Sequence, residues 1–353
     1  MTWKRAASRF ASASGSLGLA LAMALAPSTA AEPAEPTALA DPSARLPGGS
    51  AASEHWEITV RLDSGHWIMV RFIVTDFGPG DRNAVVLGHV VEPDGQDVLF
   101  SNGRFRPYWK LSDDRRRLDI GTSHLDLHEP LYRLFIDKDK ARIDLRFAPQ
   151  SLPSPPAGTL PEGYNLEVLA LGARVTGTLQ MPGMTEAQSA TGHISMIHTW
   201  MSDDESELAP HRIEFHALAD DALYVLDLAN GEGRRWNWLL ARNSDSNPRS
   251  LAGFETSLAG SLSGLSRPEY FVPAGIHWFG TCLDAFAALS RPLLQNDPLE
   301  ALPQPMRWLV GLRIKPHRVW ATSGFEVTLR ACSNRPPIQM LGTGITTLTF
   351  MRP

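Results

Sequence analysis

Cysteine is nearly absent from these 353 residues: Cys282 and Cys332 are the only two. That rules out a disulfide-dense scaffold, a CxxC redox motif and a cysteine-rich zinc module, and leaves two states open, one disulfide or two buried thiols. The chain also has no nucleophile elbow and no phosphate-binding glycine loop, since its glycine-rich places are hairpin turns. Basic residues are in the minority, 33 Lys and Arg against 38 Asp and Glu, which argues against a nucleic-acid partner. One apolar run stands out, Leu17 to Ala26, and it is too short to span a bilayer. Lys4, Arg5 and Arg9 precede it and the small residues Ser28, Thr29, Ala30 and Ala31 follow it, the pattern of an export signal over residues 1–31. No cysteine follows that run near the cleavage site, so a lipid anchor is not expected. The expectation is an exported chain, periplasmic or secreted, more acidic than its precursor and without an integral membrane segment.

Residues 32–53, rich in Ala, Pro, Gly and Ser, read as a flexible linker. From Trp56 the pattern becomes that of strands. Trp56, Ile58, Val60 and Leu62 alternate with Glu57, Thr59 and Arg61, a half-buried strand with its charges toward water. Turns such as Pro93-Asp94-Gly95 and Asp137 to Lys140 separate short alternating runs as far as Phe147. The proline-rich segment 150–162 is the strongest internal break, so residues 54–160 and 161–353 are expected to form two β-domains. Strands resume from Asn165 to the C-terminus. Cys282, Phe286, Leu289 and Leu293 recur at three- to four-residue spacing, which predicts one short helix over residues 281–294, late in the chain. Many short antiparallel strands without alternating helices make the fold class all-β, a barrel or sandwich.

The segment Gly192 to Met201, GHISMIHTWM, puts Ile194, Met196, His198 and Trp200 on one strand face. A histidine in an apolar stripe is either a satisfied core residue or a group that meets a ligand. Trp236 and Trp238 share a face on a later strand, with Asn237 between them. These residues, Met196, His198, Trp200, Trp236, Asn237 and Trp238, are the candidate ligand-binding set, expected to line one cavity, with His198 the candidate catalytic group. His124, Asp126 and His128 share a strand face at a spacing zinc accepts, but Leu125 and Leu127 claim the buried side, so the trio reads as water-facing and no metal is assigned. The acidic run Asp203, Asp204, Glu205 and Glu207 reads as a solvated loop that could fold back toward His198. No cofactor is implied.

Three segments carry a family resemblance. Val175-Thr176-Gly177-Thr178-Leu179, followed by Gly192 and the strand ending His198-Thr199-Trp200, resembles the "V-x-G, then G-x-x-x-Trp-x-Asp-His-Glu-Trp" region of the two-domain lipocalin-like proteins. That family includes carotenoid hydratases (hydroxyneurosporene synthase), AttH-like proteins, yeast survival-factor relatives and fungal Diels-Alderases. Trp236-Asn237-Trp238 is similar to its "Trp-Asp-Trp" strand. Gly65-His66-Trp67 and Pro93-Asp94-Gly95 resemble its first domain. The resemblance implies two lipocalin-like (calycin) antiparallel β-barrels with an apolar cavity for an isoprenoid, polyketide or lipid. Ile197, Thr199 and Asn237 stand where the family has carboxylates, which removes the obvious proton donors of a hydratase. The sequence therefore points first to binding of a hydrophobic small molecule. An isoprenoid- or polyketide-modifying enzyme (hydratase, isomerase or cyclase) with His198 as proton shuttle is the alternative, and a structural protein with filled barrels a third reading.

Overall fold

The computed structural model describes residues 39–351, apart from 77–81, 140, 244–246, 302–307, 309–310, 312–313 and 333–334. No described helix is long and apolar enough to cross a membrane. The first sheet takes eleven strands: β1 (Ser53–Leu62), β2 (Trp67–Thr75), β3 (Asn83–Val91), β4 (Asp97–Arg104), β5 (Trp109–Leu111), β6 (Arg117–Ile120), β7 (Ser123–Asp126), β8 (Tyr132–Lys138), β9 (Ala141–Phe147), β10 (Tyr164–Gln180) and β11 (Gln188–Met201). Their spatial order is 4-3-2-1-11-10-9-8-7-6-5, antiparallel between neighbours. The meander curls until β4 meets β6 and β8, so the sheet nearly closes. A four-residue helix, α1 (Glu205–Leu208), capped by the Asp204 carboxylate, leads to the second sheet.

That sheet holds β12 (His211–Ala217), β13 (Ala222–Ala229), β14 (Arg235–Arg242), β15 (Arg249–Ala252), β16 (Glu255–Ala259), β17 (Gly275–Phe279), β18 (Leu283–Asn296), β19 (His317–Leu329) and β20 (Ile338–Phe350). Their order is 15-14-13-12-20-19-18-17-16, and this sheet too is curled and near-closed. The all-β expectation of two antiparallel barrels thus holds.

Alternation produces the strands and decides their faces. Ile58, Val60, Ile68, Val70, Phe72, Leu134, Ile136, Ile143 and Leu145 fill the first curl, and Phe215, Val225, Leu239, Trp278, Ala285, Ala287 and Val327 fill the second. Gly192 lies in register with Leu62 and Val175, and a Cβ there would run into the Arg61 carbonyl, so glycine permits the close approach of β11 to β1.

Three expectations change. Residues 281–294 are not helical: Leu283, Ala285, Ala287 and Leu289 point into the second core with a period of two, in β18, whereas Trp308 and Gly311 are helical. The change of sheet falls between Met201 and His211 rather than at 150–162, because β10 and β11 pair within the first sheet. Finally, the expected tether is ordered from Leu39, and Ala44, only 2% exposed, joins the first core.

The two sheets meet through their outer faces. Tyr164, Leu166, Val168 and Ile197 pack with Tyr224, Leu226, Trp238 and Leu240 on one side of this seam. Trp67, Met69 and Val91 pack with Leu218, Trp320 and Ile345 on the other.

Candidate functional site

His198 reaches the interior of the first barrel near the Ser53 end of β1. Its ring stacks on Trp56 at 4.7 Å between centroids and 8° between planes, and Trp200 tilts against its other neighbourhood at 4.9 Å. The Nε2–H donates to Glu54 Oε1 at 2.7 Å, since a carboxylate can only accept. Both residues are essentially without solvent exposure. The same carboxylate accepts the backbone N–H groups of Arg45 and Leu46, at 2.8 and 2.6 Å. It therefore pins the segment ahead of β1 across the end of the barrel. The Arg45 guanidinium lies over Trp200 at 5.2 Å and stands 3.5 Å from Glu167. Glu167 is the strand partner of His198, and burial holds its carboxyl above the usual range against the opposing pull of Arg45. Histidine Nδ1 has no partner. Ile197 and Thr199 supply no acid, but Glu54 and Glu167 bring two carboxylates to the imidazole from neighbouring strands.

The tryptophans of β14 lie elsewhere. Trp238 is fully buried in the seam, donating its indole N–H to Ser250 Oγ at 2.6 Å and meeting Tyr224 edge-on at 5.9 Å. Asn237 turns the other way and is engaged by the backbone of Phe254, whose N–H it accepts at 3.1 Å. Trp236 lies at a cleft of about 430 Å³ on the rim of the second barrel. Arg235, Asn237, Phe254, Glu255 and Thr256 share that cleft, and Gly158 and Thr159 form its far lip. Arg234 covers one face of Trp236 at 4.8 Å. Behind Arg235, buried Asp227 accepts from its guanidinium at 2.9 and 3.0 Å, and burial holds this carboxyl above its ordinary value. The six expected ligand residues therefore divide between two places: Met196, His198 and Trp200 in the first barrel, and Trp236, Asn237 and Trp238 at the second barrel or in the seam. The hollow beside Glu54 measures only about 10 Å³.

His124, Asp126 and His128 do not converge. His124 stacks on Phe135 at 4.8 Å, while His128 bridges Asp126 and Asp114. Among the described residues no three metal-type ligands stand together.

Of the acidic run, Glu205 turns into the seam rather than toward His198: it pairs with Arg212 at 3.1 Å and lies 4.0 Å from Arg71. There a charged island missed by sequence reasoning is buried between the sheets. Glu57, expected to face water, meets Arg71 at 3.2 Å, Arg212 at 3.0 Å and Arg318 at 3.4 Å, and Arg212 also meets Glu214 at 3.0 Å. Buried His55 and His216 lie within reach of its charges. A usable signal was present: β1 and β12 both carry charges of opposite sign on the face away from their own cores, which two packed sheets can pair.

Comparison with solved structures fits this geometry. An AttH-like protein of Nitrosomonas europaea superposes with a TM-score of 0.65 over 91% of this chain and 99% of its own, at 12% identity. The fold is the two-barrel, lipocalin-like one. Kievitone hydratase of Nectria haematococca (TM-score 0.57, 11% identity) and CghA, solved with Sch210972 (TM-score 0.60, 12% identity), each match over 91% of this chain and 98% of theirs. At these identities the likeness establishes the lipocalin-like fold. No family model matches the sequence, and no curated protein matches it.

Proposed function

We propose that this protein, exported as its first 31 residues suggest, binds a hydrophobic small molecule at the rim of the second barrel. The observation that carries this reading is the cleft of about 430 Å³ whose wall includes Trp236, Asn237 and Phe254. That volume suits a small ligand, and the indole and phenyl faces offer large apolar contact beside a few polar groups. Lipocalin-like neighbours whose names include a hydratase and a protein solved with a small molecule support it at the level of fold. The test is tryptophan quenching by polyenes and long-chain lipids. Trp236→Ala is expected to weaken binding about tenfold or more, roughly the loss of one buried aromatic contact. Unchanged affinity in a folded Trp236→Ala variant rules the cleft out.

A second reading, an enzyme that hydrates, isomerises or cyclises an isoprenoid or polyketide, draws on the carboxylates beside His198. Glu54 can hold the imidazole in one tautomer, leaving Nδ1 to exchange a proton. It predicts turnover that disappears in His198→Ala and survives in Trp238→Phe; turnover retained in His198→Ala refutes it.

A further inference from the structure

One turn of the first barrel departs from the rule that solvent-facing turns are polar. Every residue from Gly103 to Tyr108 is exposed, and the run reads Gly-Arg-Phe-Arg-Pro-Tyr. Phe105 is 52% exposed and Tyr108 71%. The turns Pro93–Asp97 and Gly231–Arg235 are exposed throughout as well, yet carry no aromatic residue. Aromatic rings left together in water forgo a large burial gain, and apolar groups collected on a surface mark a place of interaction. The turn is firmly rooted. Trp109, buried in the first core, donates its indole N–H to the Arg82 carbonyl at 2.8 Å, and the Tyr108 N–H closes the turn onto the Phe105 carbonyl at 2.8 Å. Both exposed rings thus stand on a base fixed in the barrel. We propose that residues 104–110, from the end of β4 into β5, dock the protein peripherally on a lipid bilayer whose surface carries anionic headgroups.

The charges set the chemistry of the partner. Arg104, Arg106 and Lys110 interleave with the aromatics, and no acidic residue occurs between Asp97 and Asp113. Arg104 Nη1 donates to the neighbouring Gly103 carbonyl at 2.8 Å and Arg106 lies over Trp109 at 4.9 Å; none of the three cations pairs with a carboxylate among the described residues. Lys110 stands opposite Asp119 in the β5–β6 ladder, but Arg117 bonds that carboxylate at 3.1 Å. The chain as a whole carries a formal net charge of -5. An anionic surface is therefore repelled by the molecule at large and attracted where unpaired cations collect, which selects this turn. The apolar part favours lipid over protein. Two rings on one turn fall far short of the roughly 800 Å² per partner that a stable protein interface buries, whereas the headgroup layer takes side chains only a few ångströms deep. There the arginine and lysine stems lie along apolar surface while their charges reach phosphates, and the Tyr108 ring enters with its hydroxyl still hydrated. This docking does not depend on what the cleft at Trp236 binds.

The test is co-sedimentation of the whole chain with two kinds of vesicle, phosphatidylcholine alone and an equimolar mixture of phosphatidylcholine and phosphatidylglycerol, at low and at raised sodium chloride. Binding to the mixed vesicles is expected, with little to phosphatidylcholine, and salt should weaken it. The partition coefficient should fall about fivefold for each of Arg104→Gln, Arg106→Gln and Lys110→Gln. It should fall about tenfold in the double variant Phe105→Ser, Tyr108→Ser. Leu341→Ser removes a side chain that is 82% exposed on the second sheet and should bind as the parent does. All these positions face water, and a thermal midpoint like the parent's checks that each variant is folded. Equal binding to both kinds of vesicle, or full binding by the glutamine variants, overturns the anionic headgroup as partner. A loss in Leu341→Ser as large as in the aromatic pair overturns this turn as the anchor. Absence of binding to either vesicle overturns the proposal and leaves the turn to a protein partner.

Discussion

At the scale of single residues, Glu54 does more than any other described group to organise the end of the first barrel. Its carboxylate takes three donors at once, two backbone N–H groups and an imidazole. Glu54→Gln keeps the shape but replaces one acceptor oxygen with an N–H₂ group, which must face a donor in any orientation. A loss of about 2 to 4 kcal/mol is expected, from one or two buried donors left unpaired, read as a lower urea midpoint at unchanged m-value. An unchanged midpoint would show that the interactions around Glu54 contribute no net stability. The sequence revealed His198 and its face but not this partner. Alternation along GHISMIHTWM fixes where the imidazole points, whereas Glu54 lies 144 positions away and faces Trp200 only through the pairing of β1 with β11. A glutamate at the start of a strand ordinarily reads as a solvated cap, and nothing local marks it as buried.

At the scale of elements, most strands were legible because one face meets a core and the other does not. β18 shows how that logic fails. Cys282, Phe286, Leu289 and Leu293 imitate a helical stripe, yet Phe286 is exposed and the residues that enter the core are Leu283, Ala285, Ala287 and Leu289. Alanines on the inner face gave a weak hydrophobic signal. Pro292, which a helix interior would resist, sits where the register shifts. The β17–β18 turn is also tied to the segment after β19 by the Cys282–Cys332 disulfide, which links positions 50 apart in sequence. Closing a loop of that length restricts the unfolded chain by about 4 kcal/mol in the chain-entropy picture. The double variant Cys282→Ser, Cys332→Ser should lose up to that amount in urea unfolding. Reductant should lower the parent toward the variant and leave the variant unmoved; a parent as stable reduced as oxidised would count against the restraint.

At the scale of the whole molecule, the seam couples the two barrels through groups whose protonation differs between folded and unfolded states. Outer strand faces with mixed charges look alike in sequence whether they meet water or another sheet, so the island became visible only once β1 and β2 were seen against β12 and β19. Breaking it at Arg212→Met takes Glu214's ion-pair partner and leaves Glu57 and Glu205 with fewer cations, and a loss of about 3 to 5 kcal/mol is expected from removing one member of a buried ionic cluster. Acid should act on the same place. Burial, reinforced by Arg212 and opposed by Glu57, pulls His216 down to about 4, whereas an unfolded histidine titrates near 6.5. Between those values the unfolded chain binds the extra proton, so the stability from neutral His216 is fully present above about pH 6.5. It is lost as pH falls toward 4, by about 3 kcal/mol in all. His55 is lowered too and adds in the same direction. Burial would raise Glu57, but Arg318, Arg71 and Arg212 outweigh it and keep it ionised, which extends the loss below the ordinary carboxylate range. Glu214, raised by burial, offsets part of it. Urea unfolding at pH 7.5, 6.0 and 5.0 should therefore show steadily falling stability in the parent. His216→Gln, which cannot take up that proton, should flatten the fall, and an identical slope in the variant would place the acid sensitivity outside the seam.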